Sequence, residues 1–305
     1  MKEVKASPPG GVLLIDKPSG FTSHDVVNKI RRLYSTKKVG HTGTLDPMAT
    51  GLLVVLVGRA AKAAEYLSAD DKKYEAGLFL GITTDTEDTT GKELSRSDVI
   101  PDETAVFQIL DSFRGEIDQI PPMYSALKVG GRKLCDIARA GGEAERQARR
   151  INIFSLEAEK RADSEYALSV HCSKGTYIRT LCADIGAALG CGGVMSSLRR
   201  VSAGGFSLSE AHTLEEIEAL DEKGREDLLI PTEELFSDLQ AVALPAFYER
   251  LCRCGAEIYL KKINYSLDLG TRVRLMGEKG FFALGEVREY PDGTAVKAIK
   301  NFDTE

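Results

Sequence analysis

Apolar positions along the chain fall into three spacings, and each predicts a different element. Residues 11–15 form a short apolar run that ends in Asp16-Lys17-Pro18-Ser19-Gly20, a turn rich in proline and glycine, so the run reads as a strand. Beyond the turn, Val26, Val27, Ile30 and Leu33 recur at helical spacing, with Lys29, Arg31 and Arg32 on the outer faces and Thr22 or Ser23 placed to cap. Residues 52–57 are the longest unbroken apolar run and read as a buried strand. Between that helix and that strand, residues 40–51 show neither period. The stretch 210–240 is acidic and helical in pattern. After it, residues 271–275, 281–284, 286–290 and 295–299 alternate between Gly and Asp turns, which predicts a small β-unit.

A length of 305 residues accommodates one large domain, or a large one with a small companion. With 43% apolar and 28% charged residues, the composition excludes a disordered chain or a fibrous repeat. The run at 52–57 is too short to span a bilayer, and the lysines near the N-terminus have no apolar stretch behind them as a signal peptide would. The expectation is a cytoplasmic protein with a flexible stretch at 1–10 and no membrane partner. Six cysteines without framework spacing read as reduced, mostly buried thiols. Cys252 and Cys254 have no second Cys/His pair, so packing is a better reading than zinc and no metal is expected.

Charge alters this picture because it is uneven. Against a net −6, residues 1–62 carry +6 and residues 128–150 carry +4, while 63–127 and 205–240 each carry −9. A basic face on an acidic whole attracts a polyanion locally. The competing reading is ordinary solvated helix faces.

The unpatterned segment Gly40-His-Thr-Gly-Thr-Leu-Asp-Pro-Met-Ala-Thr-Gly51 carries the candidate chemistry. Three glycines permit positive φ or close approach to a ligand, and the threonines, His41 and Asp46 supply polar groups among them. No Gly-Lys-Ser/Thr closes a phosphate-binding loop. Asp46 before Pro47 reads either as a turn-forming residue or as a lone carboxylate on a rigid loop, able to act as nucleophile or base. His41 taken alone reads as a loop hydrogen-bonder.

The segments GVLLIDKPSGFTSHDVVNKIRR at 11–32 and KKVGHTGTLDPMATGLL at 37–53 resemble the TruB family, the bacterial tRNA pseudouridine-55 synthases. Further blocks fit in order: Lys73-Tyr74, Leu80-Gly81, Thr84-Asp-Thr-Glu-Asp88, QIPPMYSALK at 119–128, CSKGTYIRT at 172–180, Asp184-Ile-Gly186, Leu198-Arg-Arg200 and Ala211-His-Thr-Leu214. The resemblance runs from about residue 11 to 299. It implies an α+β catalytic domain over 11–240 with a mixed, largely antiparallel sheet flanked by helices, a thumb-like insertion at about 122–152, and a PUA-like pseudo-barrel over 241–305 that contacts the acceptor side of tRNA.

The implied activity is isomerisation of the T-loop uridine of tRNA, with no cofactor and no metal. Asp46 stands where the family carries its essential aspartate. Arg179 would pair with it and keep it ionised. Tyr74 would lie against the target base and relay a proton, while Tyr177 and Leu198 would line the pocket. Tyr177 and Arg179 are two apart and face one side if that segment is extended. The uridine must be flipped out, and His41 would stack in the gap it leaves. Lys17 and Pro18 would shape the pocket or touch the RNA backbone. Arg132, Lys133, Arg139, Arg146, Arg149 and Arg150 would meet phosphates. Cys135 and the segment 58–62 depart from the family pattern, away from the pocket. A non-catalytic tRNA-folding protein is the competing reading, which would need none of Asp46, Tyr74 and Arg179; a zinc deaminase lacks its signature here. No protein partner is implied, and a monomer is expected.

Overall fold

The computed structural model describes residues 10–66 and 71–302. The flexible stretch expected at 1–10 therefore lies, apart from Gly10, outside the described residues. In chain order the main elements are β1 (Gly11–Lys17), α1 (Ser23–Leu33), β2 (Val39–His41), β3 (Thr50–Val57), β4 (Lys72–Leu80), β5 (Ile82–Thr84), β6 (Glu93–Arg96), α2 (Glu103–Leu110) and β7 (Gly115–Gln119). There follow β8 (Lys128–Val129), β9 (Arg132–Lys133), α3 (Leu134–Arg139), β10 (Arg149–Ala162), β11 (Glu165–Cys172), α4 (Ile178–Ala188), β12 (Gly193–Ala203), β13 (Phe206–Ser207), α5 (Leu214–Ala219) and α6 (Glu222–Asp227). The last elements are β14 (Ala241–Ala243), α7 (Ala246–Arg253), β15 (Ile258–Tyr259), β16 (Arg272–Gly277), β17 (Gly280–Tyr290) and β18 (Gly293–Asn301).

The strand order β1-β3-β12-β4-β11-β10-β7 builds the central sheet, with β2 added to β3 and β13 to β12. Only the β12–β3 contact is parallel, so the sheet is mixed and largely antiparallel, as the family resemblance implied. Its front face meets α1, α2, α4 and α5 through a core that includes Leu13, Ile15, Val26, Ile30, Leu53, Val55, Leu78, Val106, Leu181 and Ile185. The helical spacing of α1 is thus spent on the core, and Thr22 starts that helix through a reciprocal capping box with Asp25.

Residues 11–15 of β1 and 51–57 of β3 are apolar on both faces because both faces are covered. Val12, Leu14, Leu52, Val54 and Leu56 point backwards into a second core shared with Phe236 and with Leu284 and Phe302 of the C-terminal segment. At this seam Phe281 and Phe302 stack at 5.5 Å between ring centroids, with Phe236 tilted against both. Each such side chain stabilises by about 1.5–3 kcal/mol on full burial.

The C-terminal strands form a second sheet, β14-β16-β17-β18-β15, over a core of its own that includes Val242, Val273, Leu275, Phe282, Val287 and Val296. Here one expectation is corrected: 281–284 and 286–290 belong to one continuous strand, β17. Gly285 does not break it. A Cβ at this glycine would lie 2.9 Å from Val296 and 3.0 Å from Leu275, so it permits close packing beside a register shift.

The basic segment after residue 122 forms a β8–β9 hairpin, turned through Gly130 and Gly131 at φ 58° and 82°, followed by α3. No helix among the described residues is long and apolar enough to cross a membrane.

Candidate active site

Residues 42–49 cross from β2 to β3, and neighbouring groups hold their backbone at several points. Ser23 clamps Leu45 from both sides: its hydroxyl donates to the Leu45 carbonyl at 3.1 Å and accepts from the Leu45 amide at 2.8 Å. Gly20 N–H donates to Pro47 O at 2.8 Å, and the Ser19 hydroxyl donates to Met48 O at 3.2 Å. Beneath the loop, Lys17 has no exposed surface, and its ammonium donates to the carbonyls of Pro18 (2.9 Å), Phe21 (2.6 Å) and Pro47 (3.3 Å). Arg200, also buried, donates to Leu52 O at 2.7 Å and Gly43 O at 3.1 Å. At the exit Gly51 takes φ 95°, where a Cβ would lie 2.4 Å from the Arg200 carbonyl. The short polar residues and glycines of the sequence thus serve a rigid loop, which leaves the Asp46 side chain free of its own turn.

Asp46 meets Arg179 in a two-point ion pair: Nε to Oδ2 at 2.9 Å and Nη2 to Oδ1 at 3.2 Å. Arg179 is 5% exposed and Asp46 33%. Two further guanidinium hydrogens go to the carbonyls of Thr86 (3.1 Å) and Tyr124 (2.8 Å), so the cation is fixed on three sides. Arg179 acts on Asp46 in the expected direction, favouring the ionised form, but against a larger opposing effect. Burial pushes the carboxyl above its ordinary value, with Arg179 opposing and the nearby Asp88 charge adding to the rise.

Tyr177 and Arg179 do not lie on an extended segment. Ile178 begins α4 and Tyr177 is its cap residue. Gln119 imposes this start from the end of β7, accepting from the Tyr177 amide at 2.8 Å and donating to its carbonyl at 3.0 Å. Both residues still reach the site, because the first turn of the helix points at the loop. The Asp46 charge opposes ionisation of both Tyr177 and Tyr74, phenols already pushed up by burial.

Tyr74 is buried on β4, paired with Arg200 of β12, and Leu198 lies one step along opposite Ala76. His41 ends β2, half-buried, with its Nδ1 lacking a hydrogen-bond partner. Burial first, then the Arg200 and His24 charges, hold its ring below the ordinary imidazole range, hence uncharged at neutral pH. Pro18 is half-buried beside the loop. Lys17, by contrast, spends its ammonium inside the protein and offers nothing to a ligand's backbone.

The basic residues of the insertion divide. Arg132, Lys133 and Arg139 are exposed, and among the described residues none has a carboxylate within ion-pair distance. Arg146 is turned inward to Pro121 O at 3.1 Å. Arg150, expected at a phosphate, is paired here with Asp118 and Glu116 at 3.1 and 3.3 Å. Residues that sequence reasoning assigned no role are Arg200, Gln119 and Asp88; their motifs were visible, but their three-dimensional partners were not.

Residues 31–178 match the model of the TruB family pseudouridylate synthase N-terminal domain, and residues 179–237 that of the tRNA pseudouridylate synthase B C-terminal domain. A tRNA pseudouridine synthase B of Alkaliphilus oremlandii is 44% identical over 91% of this chain and 93% of its own length. The chain belongs to the TruB family. A second TruB relative, from Azoarcus sp., is 50% identical over 90% of each chain. Beyond the bacterial TruB proteins, a solved Cbf5-Nop10-Gar1 complex superposes with a TM-score of 0.73 at 28% identity, covering 96% of this chain and 85% of that one.

Proposed function

We propose that this protein is a tRNA pseudouridine synthase that isomerises the T-loop uridine at position 55. The observation that carries the reading is the Asp46–Arg179 pair, a carboxylate held at two points on a backbone-locked loop beside two protonated phenols. In the reaction the C1′–N1 bond breaks, C1′–C5 forms, N1 gains a proton and C5 loses one. No electron is transferred, so a positioned carboxylate and proton-handling groups suffice.

Asp46 is the group that bonds to the nucleoside or takes its proton, and Arg179 holds it in the ionised form against burial. Tyr74 lies under the base, its hydroxyl kept protonated and able to donate. Tyr177 and Leu198 wall the pocket. The uncharged His41 ring suits stacking in the space left by the flipped uridine. Lys17 and Pro18 shape the loop. Arg132, Lys133 and Arg139 contact phosphates from the thumb over 122–152. The catalytic unit spans 11–240, and the sheet after 241 acts as a PUA-like RNA-binding unit. The protein works as a monomer in the cytoplasm.

The test uses an unmodified tRNA transcript, chemical labelling of pseudouridine and nucleoside mass spectrometry, with wild type beside Asp46→Asn. Pseudouridine at position 55 from the wild type and none from the variant is expected. Tight binding without product from either would overturn the reading in favour of a tRNA-folding protein.

A further inference from the structure

The loop joining β5 to β6 carries a carboxylate that the proposed mechanism does not use. Glu87 has φ 63°, a left-handed conformation that costs a non-glycine residue about 1–2 kcal/mol. Three bonds maintain it. Its amide donates to Thr84 O at 3.3 Å, its carbonyl accepts from the Met195 amide at 3.0 Å, and its side-chain Oε2 accepts from the Thr180 hydroxyl at 2.6 Å. Thr180 follows Arg179 on α4. The peptide that precedes Glu87 presents the Thr86 carbonyl, which accepts from Arg179 Nη1 at 3.1 Å. One residue therefore grips the first turn of α4 twice, through its side chain on Thr180 and through the peptide plane that its backbone sets on Arg179.

We infer that Glu87 is a positioning residue: the Glu87–Thr180 bond sets the placement of the Arg179 guanidinium, and through it the aim of the Asp46 carboxylate. The inference rests on the proposed role of Asp46. On this account Glu87 acts on the chemical step and not on RNA binding. Thr180 is 4% exposed, so its hydroxyl has no water to replace a lost partner.

Four single variants and one double variant test this in the full-length protein, by single-turnover pseudouridine formation and by RNA affinity. Glu87→Ala and Thr180→Val each slow the chemical step by about 10-fold or more, as displaced catalytic groups do. RNA affinity stays within about 2-fold, and the double variant is no slower than the worse single, because both remove one bond. Glu87→Gln, which keeps an acceptor for Thr180, recovers most of the rate. Glu87→Gly takes the left-handed φ without strain but has no side chain, so it stays slow. Full activity of Glu87→Gly, additive losses in the double variant, or parallel losses of affinity and rate would each overturn the inference. Asp46→Asn in the same assay keeps the two readings apart: if it retains activity, the role of Asp46 fails, and with it the ground of this inference, while loss of activity in Asp46→Asn beside unimpaired Glu87 variants overturns the inference alone.

Discussion

Lys17 carries a measurable electrostatic cost. Burial drives its pKa down from 10.5 to about 8; Asp46 and Asp25 oppose the fall, and Arg200 adds to it. At about 1.4 kcal/mol per pKa unit, holding the ammonium charged costs the folded state about 3 kcal/mol. The pH dependence follows from proton counting. Below about pH 8 both states carry the proton and the cost is complete. Between about 8 and 10.5 the unfolded chain binds more protons than the folded one, so stability rises with pH, and above 10.5 the cost is gone. Lys17→Met keeps the stem and removes the titration. Urea denaturation of both proteins from about pH 7 to about pH 10.5 should show wild-type stability gaining on the variant by up to about 3 kcal/mol. The comparison cancels every other lysine and tyrosine. A difference that stays flat within about 0.5 kcal/mol would refute the buried-ammonium account.

Three further outcomes follow from the geometry. Gly51→Ala places a Cβ 2.4 Å from the Arg200 carbonyl at φ 95°; it should lose about 3 kcal/mol or more and lower Tm by several degrees in a thermal melt, and an unchanged Tm would be inconsistent with that contact. Replacing Arg132, Lys133 and Arg139 together by Gln should make log affinity less steep against log salt by about 2–3, at about 0.7–0.9 per phosphate contact; an unaltered slope removes the thumb assignment. Because burial raises the Asp46 carboxyl above its ordinary 3.8, the single-turnover rate should fall on acidification through a pH above that value, and a limb at or below it would contradict the burial argument.

Local pattern was enough to find α1 and β3, since their apolar spacing is spent on one core and on two cores respectively. Asp46 stood out because it sits in a segment that matches no period. The sequence leaves an extended segment from Tyr177 to Arg179 open; the helix starts there with Gln119, 58 residues away, bonded to both backbone polar groups of Tyr177. Lys17 looked like a ligand contact because nothing in the sequence near it announces that Pro47 O lies within its reach. The same holds for Arg200, whose acceptors are 148 and 157 residues distant. Partnerships across such separations are decided by the packing of the sheet, which a linear pattern does not contain.

The aromatic seam of Phe236, Phe281 and Phe302 behind β1 and β3 makes the molecule a gauge. β3 runs eight residues, about 25 Å, from the Asp46 loop towards the end where β2 and β3 close. The C-terminal sheet is bolted to the back of that same strand through Leu284 and Phe302. Its offset from the pocket is therefore fixed by side-chain volume, and changing the length of the connector at 237–240 cannot alter the reach. A nucleic acid gripped by both parts would be measured from its distal contact to its reacting base, and cutting the chain at 240 would leave Val12, Leu14, Leu52, Val54 and Leu56 partly uncovered instead of releasing an intact catalytic half.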